Sequence, residues 1–278
     1  MKTQRAISIT HGENAENHVG MQLVGSSKLS KGYTTNDLKL IKKKFKKMGG
    51  KSKLIKLNKT IPDNKTADDA SVLILKNGVN VLLNNWVNNT SKIDSNTTSE
   101  EINATKLFEE QLDLKWDVKY YDSRRNKVLN KRARYNICYG LKEQKPDYEN
   151  KKGTIIKYDN VPLLKIWRSE ILKLCNEDDS FVAEGNYYYN VNKCGIGYHG
   201  DCERRKVVAG NFSDSNVIRE LHWKAYYKYK KIGQITKVKL NHGDMYIMNK
   251  KATGNDWKNP NKITWRHAAG VNDSKYLK

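Results

Sequence analysis

The most constraining stretch of this chain is residues 184–203, EGNYYYNVNKCGIGYHGDCE, which ends in His199-Gly200-Asp201 and a glutamate. Side chains at i and i+2 of a strand share a face, so His199 and Asp201 can reach one partner while Gly200 points away. A second histidine, His267, lies far downstream in Thr264-Trp265-Arg266-His267-Ala268. Only a fold that lays this segment beside the first can use the three residues together. Two imidazoles and a carboxylate would then bind one face of a metal and leave the other positions open. A bare His-x-Asp also suits a solvated surface turn, so its surroundings decide between the readings.

The surroundings are ordered along the chain. Ile196-Gly197-Tyr198-His199-Gly200-Asp201-Cys202-Glu203 resembles the Ile-Gly-x-His-x-Asp-x-Glu stretch of AlkB-like 2-oxoglutarate/Fe(II) dioxygenases. Upstream, Asn186-Tyr187-Tyr188 is similar to that family's Asn-x-Tyr strand. Downstream, Gly243-Asp244-Met245-Tyr246-Ile247-Met248 is similar to its Gly-Asp/Ser-x-x-x-Met strand. Asn130-Lys131-Arg132-Ala133-Arg134-Tyr135 resembles the Arg-Lys-x-Ala-x-Tyr hairpin that precedes the core. The opening motif looks like one shared by AlkB-like proteins of large DNA viruses.

The resemblance implies an α+β protein with a double-stranded β-helix (jelly roll) core flanked by helices and a small N-terminal accessory region. It implies an Fe(II) centre of His199, Asp201 and His267, with 2-oxoglutarate as cosubstrate and dioxygen (O2) as oxidant. It carries cosubstrate contacts onto Asn186 and Tyr188, with Tyr189 as the alternative because the gap to His-x-Asp is about one residue longer than usual. Glu203 falls where these enzymes contact the substrate base, and Arg132, Arg134 and Tyr135 fall in the nucleotide-recognition lid. The implied activity is oxidative demethylation of alkylated bases, a form of nucleic-acid repair. Hydroxylation of a protein or small molecule, or a non-catalytic nucleic-acid-binding jelly roll, remain as alternatives.

Two departures stand out. The family's distal His follows closely after a Trp, whereas Trp257-Lys258-Asn259 contains none and His267 comes later. The family also places two Arg after that His, one of them gripping the distant carboxylate of 2-oxoglutarate. After His267 only Lys275 and Lys278 are basic. Lys275 is the first choice for that contact and Arg266 the second, although an ideal strand turns Arg266 away from the face of His267.

At 278 residues the chain can bury one large core, or one core plus a small unit. Its 52 Lys and Arg against 30 Asp and Glu leave a net charge of +22. Such an excess favours a polyanionic partner, nucleic acid first, unless the lysines serve only solubility. Cys138, Cys175, Cys194 and Cys202 form no Cys-x-x-Cys pair, so neither a zinc site nor a disulfide framework is expected. The absence of a long apolar run predicts a soluble intracellular protein of cytoplasm or nucleus, with no membrane partner and a monomer as the expected state.

Local patterns set the remaining expectations. Ala6-Ile7-Ser8-Ile9 reads as a strand. His11, Glu13 and His18 read as a polar turn, since their spacing fits no compact ligand set. Thr34 to Asp37 caps a helix stopped at Gly49-Gly50, with Leu38, Ile41, Phe45 and Met48 as its apolar stripe. Residues 71–83, with Asn77-Gly78 between two apolar runs, predict a β-hairpin. The Asn/Ser/Thr-rich residues 84–99 suggest a boundary, dividing an accessory region of unknown role (1–95) from the dioxygenase domain (96–278). A helix is expected from Ser99 through Leu112 and another from Pro162, burying Leu163, Trp167, Ile171 and Leu174. Arg204 and Arg205 are expected to face substrate or water, and His222 to be a polar strand residue near the pocket.

Overall fold

The computed structural model describes residues 3–26, 29–90, 100–271 and 274–278. The expected first strand is β1 (Ala6–Gly12), and β2 (Asn14–Glu16) with β3 (Leu23–Gly25) forms a hairpin after it. Helix α1 (Thr35–Lys47) leads to β4 (Lys51–Lys56), β5 (Ser71–Lys76), α2 (Gly78–Thr90) and α3 (Ala104–Leu112). Next come β6 (Lys119–Asp122), β7 (Lys127–Asn130), β8 (Tyr135–Gly140), β9 (Ile155–Lys157) and helix α4 (Pro162–Cys175). The remainder is mostly strand: β10 (Val182–Tyr188), β11 (Ile196–His199), β12 (Val207–Ser213) and β13 (Arg219–Tyr227). It ends with β14 (Lys230–Leu240), β15 (Met245–Met248), β16 (Thr264–Val271) and a short 3-10 turn at Lys275–Leu277.

Eight strands pair in the order β4-β5-β15-β12-β1-β10-β8-β9, and four in the order β11-β16-β13-β14. Alternation along single strands stacks these sheets and the helices in layers. Val72 and Ile74 of β5, Val207 and Ala209 of β12, and Tyr246 and Met248 of β15 pack with Leu221 and Trp223 of β13 and Trp265 of β16. The intervening Leu73, Leu75, Val208, Phe212 and Ile247 turn the other way, into a second cluster with Leu38, Phe45, Leu82 and Trp167 from the helices. The architecture is thus mixed α and β and dominated by sheet. No helix among the described residues is long and apolar enough to cross a membrane.

Helix ends follow local chemistry. The Thr34 hydroxyl accepts from the Asp37 N–H while the Asp37 carboxylate accepts from the Thr34 N–H, closing the expected capping box. Gly49 then ends α1 in the left-handed region at φ +81°. The first N–H groups of α4, on Leu163 and Leu164, donate to the Glu110 carboxylate of α3 at 2.8 and 3.1 Å.

Three expectations are corrected. The hairpin at residues 71–83 is a strand followed by a helix. Val79, Leu82, Leu83 and Val87 are buried at helical spacing, and Asn77 takes φ +49° to turn β5 into α2. Residues 84–90 continue α2, while residues 91–99, including Ser99 and the expected boundary at 95, lie outside the described residues. The helix after them is described from Asn103, whose side chain caps it by accepting from the Lys106 N–H. Finally, residues before 95 do not form a separate accessory sheet. β1 sits between β10 and β12, and β4 and β5 extend the same sheet beyond β15.

Candidate metal centre

Pairing of β11 with β16 sets His199 directly opposite His267, and on the other side of β16 Trp223 of β13 pairs with His267. Directly paired residues share a face, so the two imidazoles converge, with ring centroids 4.3 Å apart. Asp201 lies just past β11, its Oδ1 3.4 Å from His199 Nε2 and 3.6 Å from His267 Nε2. One donor atom from each residue lies within 4.8 Å of the other two, a group that could hold a metal ion. The Asp201 N–H donates to the Thr253 carbonyl at 3.0 Å, which fixes the turn. Gly200 is required there, because a Cβ would stand 2.1 Å from the Gly254 carbonyl oxygen.

Protonation suits ligation. His199 Nδ1 lies 2.8 Å from the Gly197 carbonyl, which can only accept, so Nδ1 carries a proton and Nε2 is the ring atom that faces Asp201. Burial, reinforced by His199, pulls His267 down to about 3, so its ring stays neutral. Burial pushes the Asp201 carboxyl up, but His267, His199 and Arg204 outweigh it and hold the group well below the usual carboxylate range. A neutral imidazole and an ionised carboxylate are the forms that bind a divalent cation.

The three residues open on a cavity of about 880 Å³. Its position follows from the inner face of the large sheet, which is apolar on β5, β15 and β12 but carries Ser8 and Thr10 of β1 and Glu184, Asn186 and Tyr188 of β10. Asn186 is tied in on both sides. Its Oδ1 accepts from Arg134 Nε (2.5 Å) and Asn136 Nδ2 (2.7 Å), and its Nδ2 donates to Glu184 (2.9 Å). Alternation separates the two candidate tyrosines: Tyr188 shares the inner face with Asn186, whereas Tyr189 lies past the strand end and outside the lining. The Tyr189 hydroxyl donates to the Arg132 carbonyl (2.8 Å), and its ring stacks on Tyr135 at 4.4 Å.

Of the other expected residues, Arg134 and Glu203 line the cavity, while Arg132 and Tyr135 do not. Arg266 lines it from the other face of β16, its guanidinium over the rings of Tyr226 (4.2 Å) and Trp257 (4.8 Å). Lys275 is corrected: it is exposed on the 3-10 turn, with Nζ over the Tyr276 ring, and is absent from the lining. Arg204 is corrected as well. It is 4% exposed, donating to Glu184 (2.5 Å) and Glu203 (2.7 Å) and lying 4.0 Å from Asp201. Burial pushes the Glu203 carboxyl up despite that partner. His222 is bonded to Glu220 (2.8 Å) and to the Tyr198 hydroxyl (3.3 Å), away from the metal group.

Two features escaped the sequence reading. The β2–β3 hairpin brings Glu16, His18 and Leu23 to the cavity, and His18 stacks on Tyr120 at 3.7 Å, fastening the hairpin to β6. His11 and Glu13 take other places, His11 edge-on to Trp167 and Glu13 accepting the N–H groups of Arg205 and Lys206. The second feature is Arg219 of β13, whose Nη1 donates to Ser8 Oγ and Asn211 Oδ1. Its partner Ser8 stands 211 positions away, so no local pattern marks the pair.

Fold and donor set together define a sheet-dominated α+β protein with a candidate metal centre in a deep cavity. No protein-family model matches the chain. It is 38% identical, over 279 aligned positions, to "Uncharacterized protein R156" of Acanthamoeba polyphaga mimivirus, covering 99% of this chain and 98% of the viral one. The chain therefore belongs to the same family as that protein.

Proposed function

We propose that this protein is a 2-oxoglutarate- and Fe(II)-dependent dioxygenase of the AlkB-like kind, acting on alkylated bases in nucleic acid. The observation that carries the reading is the convergence of His199, Asp201 and His267 on the cavity, with both Nε2 atoms turned toward the carboxylate. The packing of β11-β16-β13-β14 against β15-β12-β1-β10 supports a jelly roll as the core, with β1 as one of its strands.

The donor set fits Fe(II), which when bound would supply activation of dioxygen coupled to oxidative decarboxylation of 2-oxoglutarate. The chain's own part is placement. His199, Asp201 and His267 would hold the metal by three positions, and the Gly197 carbonyl orients the His199 ring. Arg134 and Asn136 fix the amide of Asn186 beside the cosubstrate space. Glu16, Glu184 and Glu203 line the cavity together with Arg134, Arg204, Lys258 and Arg266, so the lining carries both signs of charge. Alkylation of a ring nitrogen makes a base cationic, and the three glutamates are the groups of the lining that would face it. The net charge of +22 favours the polyanion that carries such a base, and a base in a duplex would enter by flipping.

The test is succinate release from 2-oxoglutarate under Fe(II) and air, with and without methylated single-stranded DNA, for wild type and His267→Ala. Release that rises with the oligonucleotide and disappears in the variant is expected. Wild type that binds Fe(II) yet releases no succinate under any of these conditions would overturn the reading.

A further inference from the structure

Arg219 is a buried cation without a counter-ion. It is 3% exposed, and among the described residues no carboxylate lies within ion-pair distance of it. Its hydrogen bonds run from Nη1 to two neutral oxygens, Ser8 Oγ at 3.2 Å and Asn211 Oδ1 at 3.0 Å. The guanidinium lies 4.0 Å from the centroid of the Tyr188 ring. An arginine cannot lose its proton to escape burial, and an unpaired buried charge is strongly unfavourable. An anion from outside the chain would complete the site.

The neighbours say where that anion sits. Ser8 and Tyr188, which touch Arg219, both line the cavity of His199, Asp201 and His267. Leu221, two residues along the same face of β13, lines it too. The ladder supplies the scale: His267 pairs with Trp223, Ala269 with Leu221 and Val271 with Arg219. Arg219 is therefore about 13 Å along the strand from the residue opposite the metal ligand. An extended arginine side chain and a short dicarboxylic acid together cover that span. Arg219 itself stands behind these lining residues rather than among them. The cations first expected in this role serve less well, since Lys275 is exposed over Tyr276, which does not line the cavity, and Arg266 reaches it from the opposite face of β16, stacked on two rings.

We propose that Arg219, assisted by the Ser8 hydroxyl, binds the carboxylate of an acidic ligand that reaches the metal group with its other end. Resting on the dioxygenase reading, the ligand is 2-oxoglutarate and the group bound is its distal carboxylate. Arg219 is then a specificity residue, selecting a diacid over a monoacid of equal length.

The experiment is anaerobic calorimetric titration of the Fe(II)-loaded protein with 2-oxoglutarate and with 2-oxopentanoate, which has a methyl group in place of the distal carboxylate. Wild type should prefer the diacid by about 10–100-fold, the worth of a charge-assisted hydrogen bond. Arg219→Met should bring the two acids to similar affinity by weakening the diacid alone, with Fe(II) affinity unchanged. Arg219→Lys should keep part of the preference and Ser8→Ala should lose severalfold, which covers the case of a Met variant that does not fold. A preference intact in the Met variant, or in both of the milder variants if the Met variant does not fold, overturns the assignment to Arg219 and leaves the enzyme reading standing. Wild type that binds Fe(II) but neither acid overturns the cosubstrate reading, and this inference with it.

Discussion

His199 and His267 occupy one rung of the β11–β16 ladder, so a single backbone pairing holds two imidazoles 4.3 Å apart, centroid to centroid. Asp201 completes the group from a turn rather than a strand, held by the carbonyl of Thr253. The centre is therefore as rigid as the small sheet on one side and as the 249–263 loop on the other.

If the three residues act as ligands, Asp201→Ala should lower affinity for a divalent ion by more than the roughly 10–100-fold that losing a partner behind a ligand costs. Titration with Co(II), followed by its visible absorption, measures this. Unchanged affinity would remove Asp201 from the donor set.

Gly200→Ala puts a methyl group 2.1 Å from a backbone oxygen, where no side-chain rotation relieves the contact. A loss of about 1–3 kcal/mol in stability is expected, as for other overpacked sites, together with weaker metal binding. Thermal unfolding of the apo and metal-loaded forms checks both effects. A variant as stable as wild type would show that the 254 turn moves freely.

Burial pushes the Glu16 carboxyl up to about 7; the Gly20 N–H opposes the shift, and Glu203 and Glu184 add to it. Its folded value thus lies above its ordinary one, so between the two the folded protein holds more protons than the unfolded chain. That contribution to stability is full below the ordinary value and is lost as pH rises through about 7. Urea unfolding at pH ~5 and ~8 should show wild type losing more stability across this interval than Glu16→Gln. Equal losses would mean Glu16 is ordinary in the folded state.

Arg204→Met would leave Glu184 buried and Glu203 half-buried without their cation. Breaking a buried ionic group from one side costs about 3–5 kcal/mol, which denaturant unfolding resolves easily. A much smaller loss would place water, not Arg204, in the balancing role.

Much of the site was legible because its signals are short. The i, i+2 geometry of His199 and Asp201, the capping residues of α1 and the Asn186/Tyr188 alternation each lie within a few residues. The choice between Tyr188 and Tyr189 needed only the end of β10. What stayed hidden depends on long-range pairing. Arg219 has meaning only beside Ser8, and the β2–β3 hairpin only against Tyr120. The misread of residues 79–83 has another cause. A short apolar run fits strand or helix, and Asn77-Gly78 turns the chain equally well into either. Burial of Val87, one further helical turn along, is what distinguishes them.

β1 pairs with β10 on one side and β12 on the other, so it lies between partners that follow it by well over a hundred residues. During synthesis β1 must wait, unpaired on both edges, until nearly all of the large sheet has left the ribosome. Such distant pairing predicts slow refolding and a strand-exposed intermediate prone to aggregation. Capture of the early chain by a chaperone, or coexpression of β1 as a separate peptide with the rest, would bear directly on how cells obtain the folded protein.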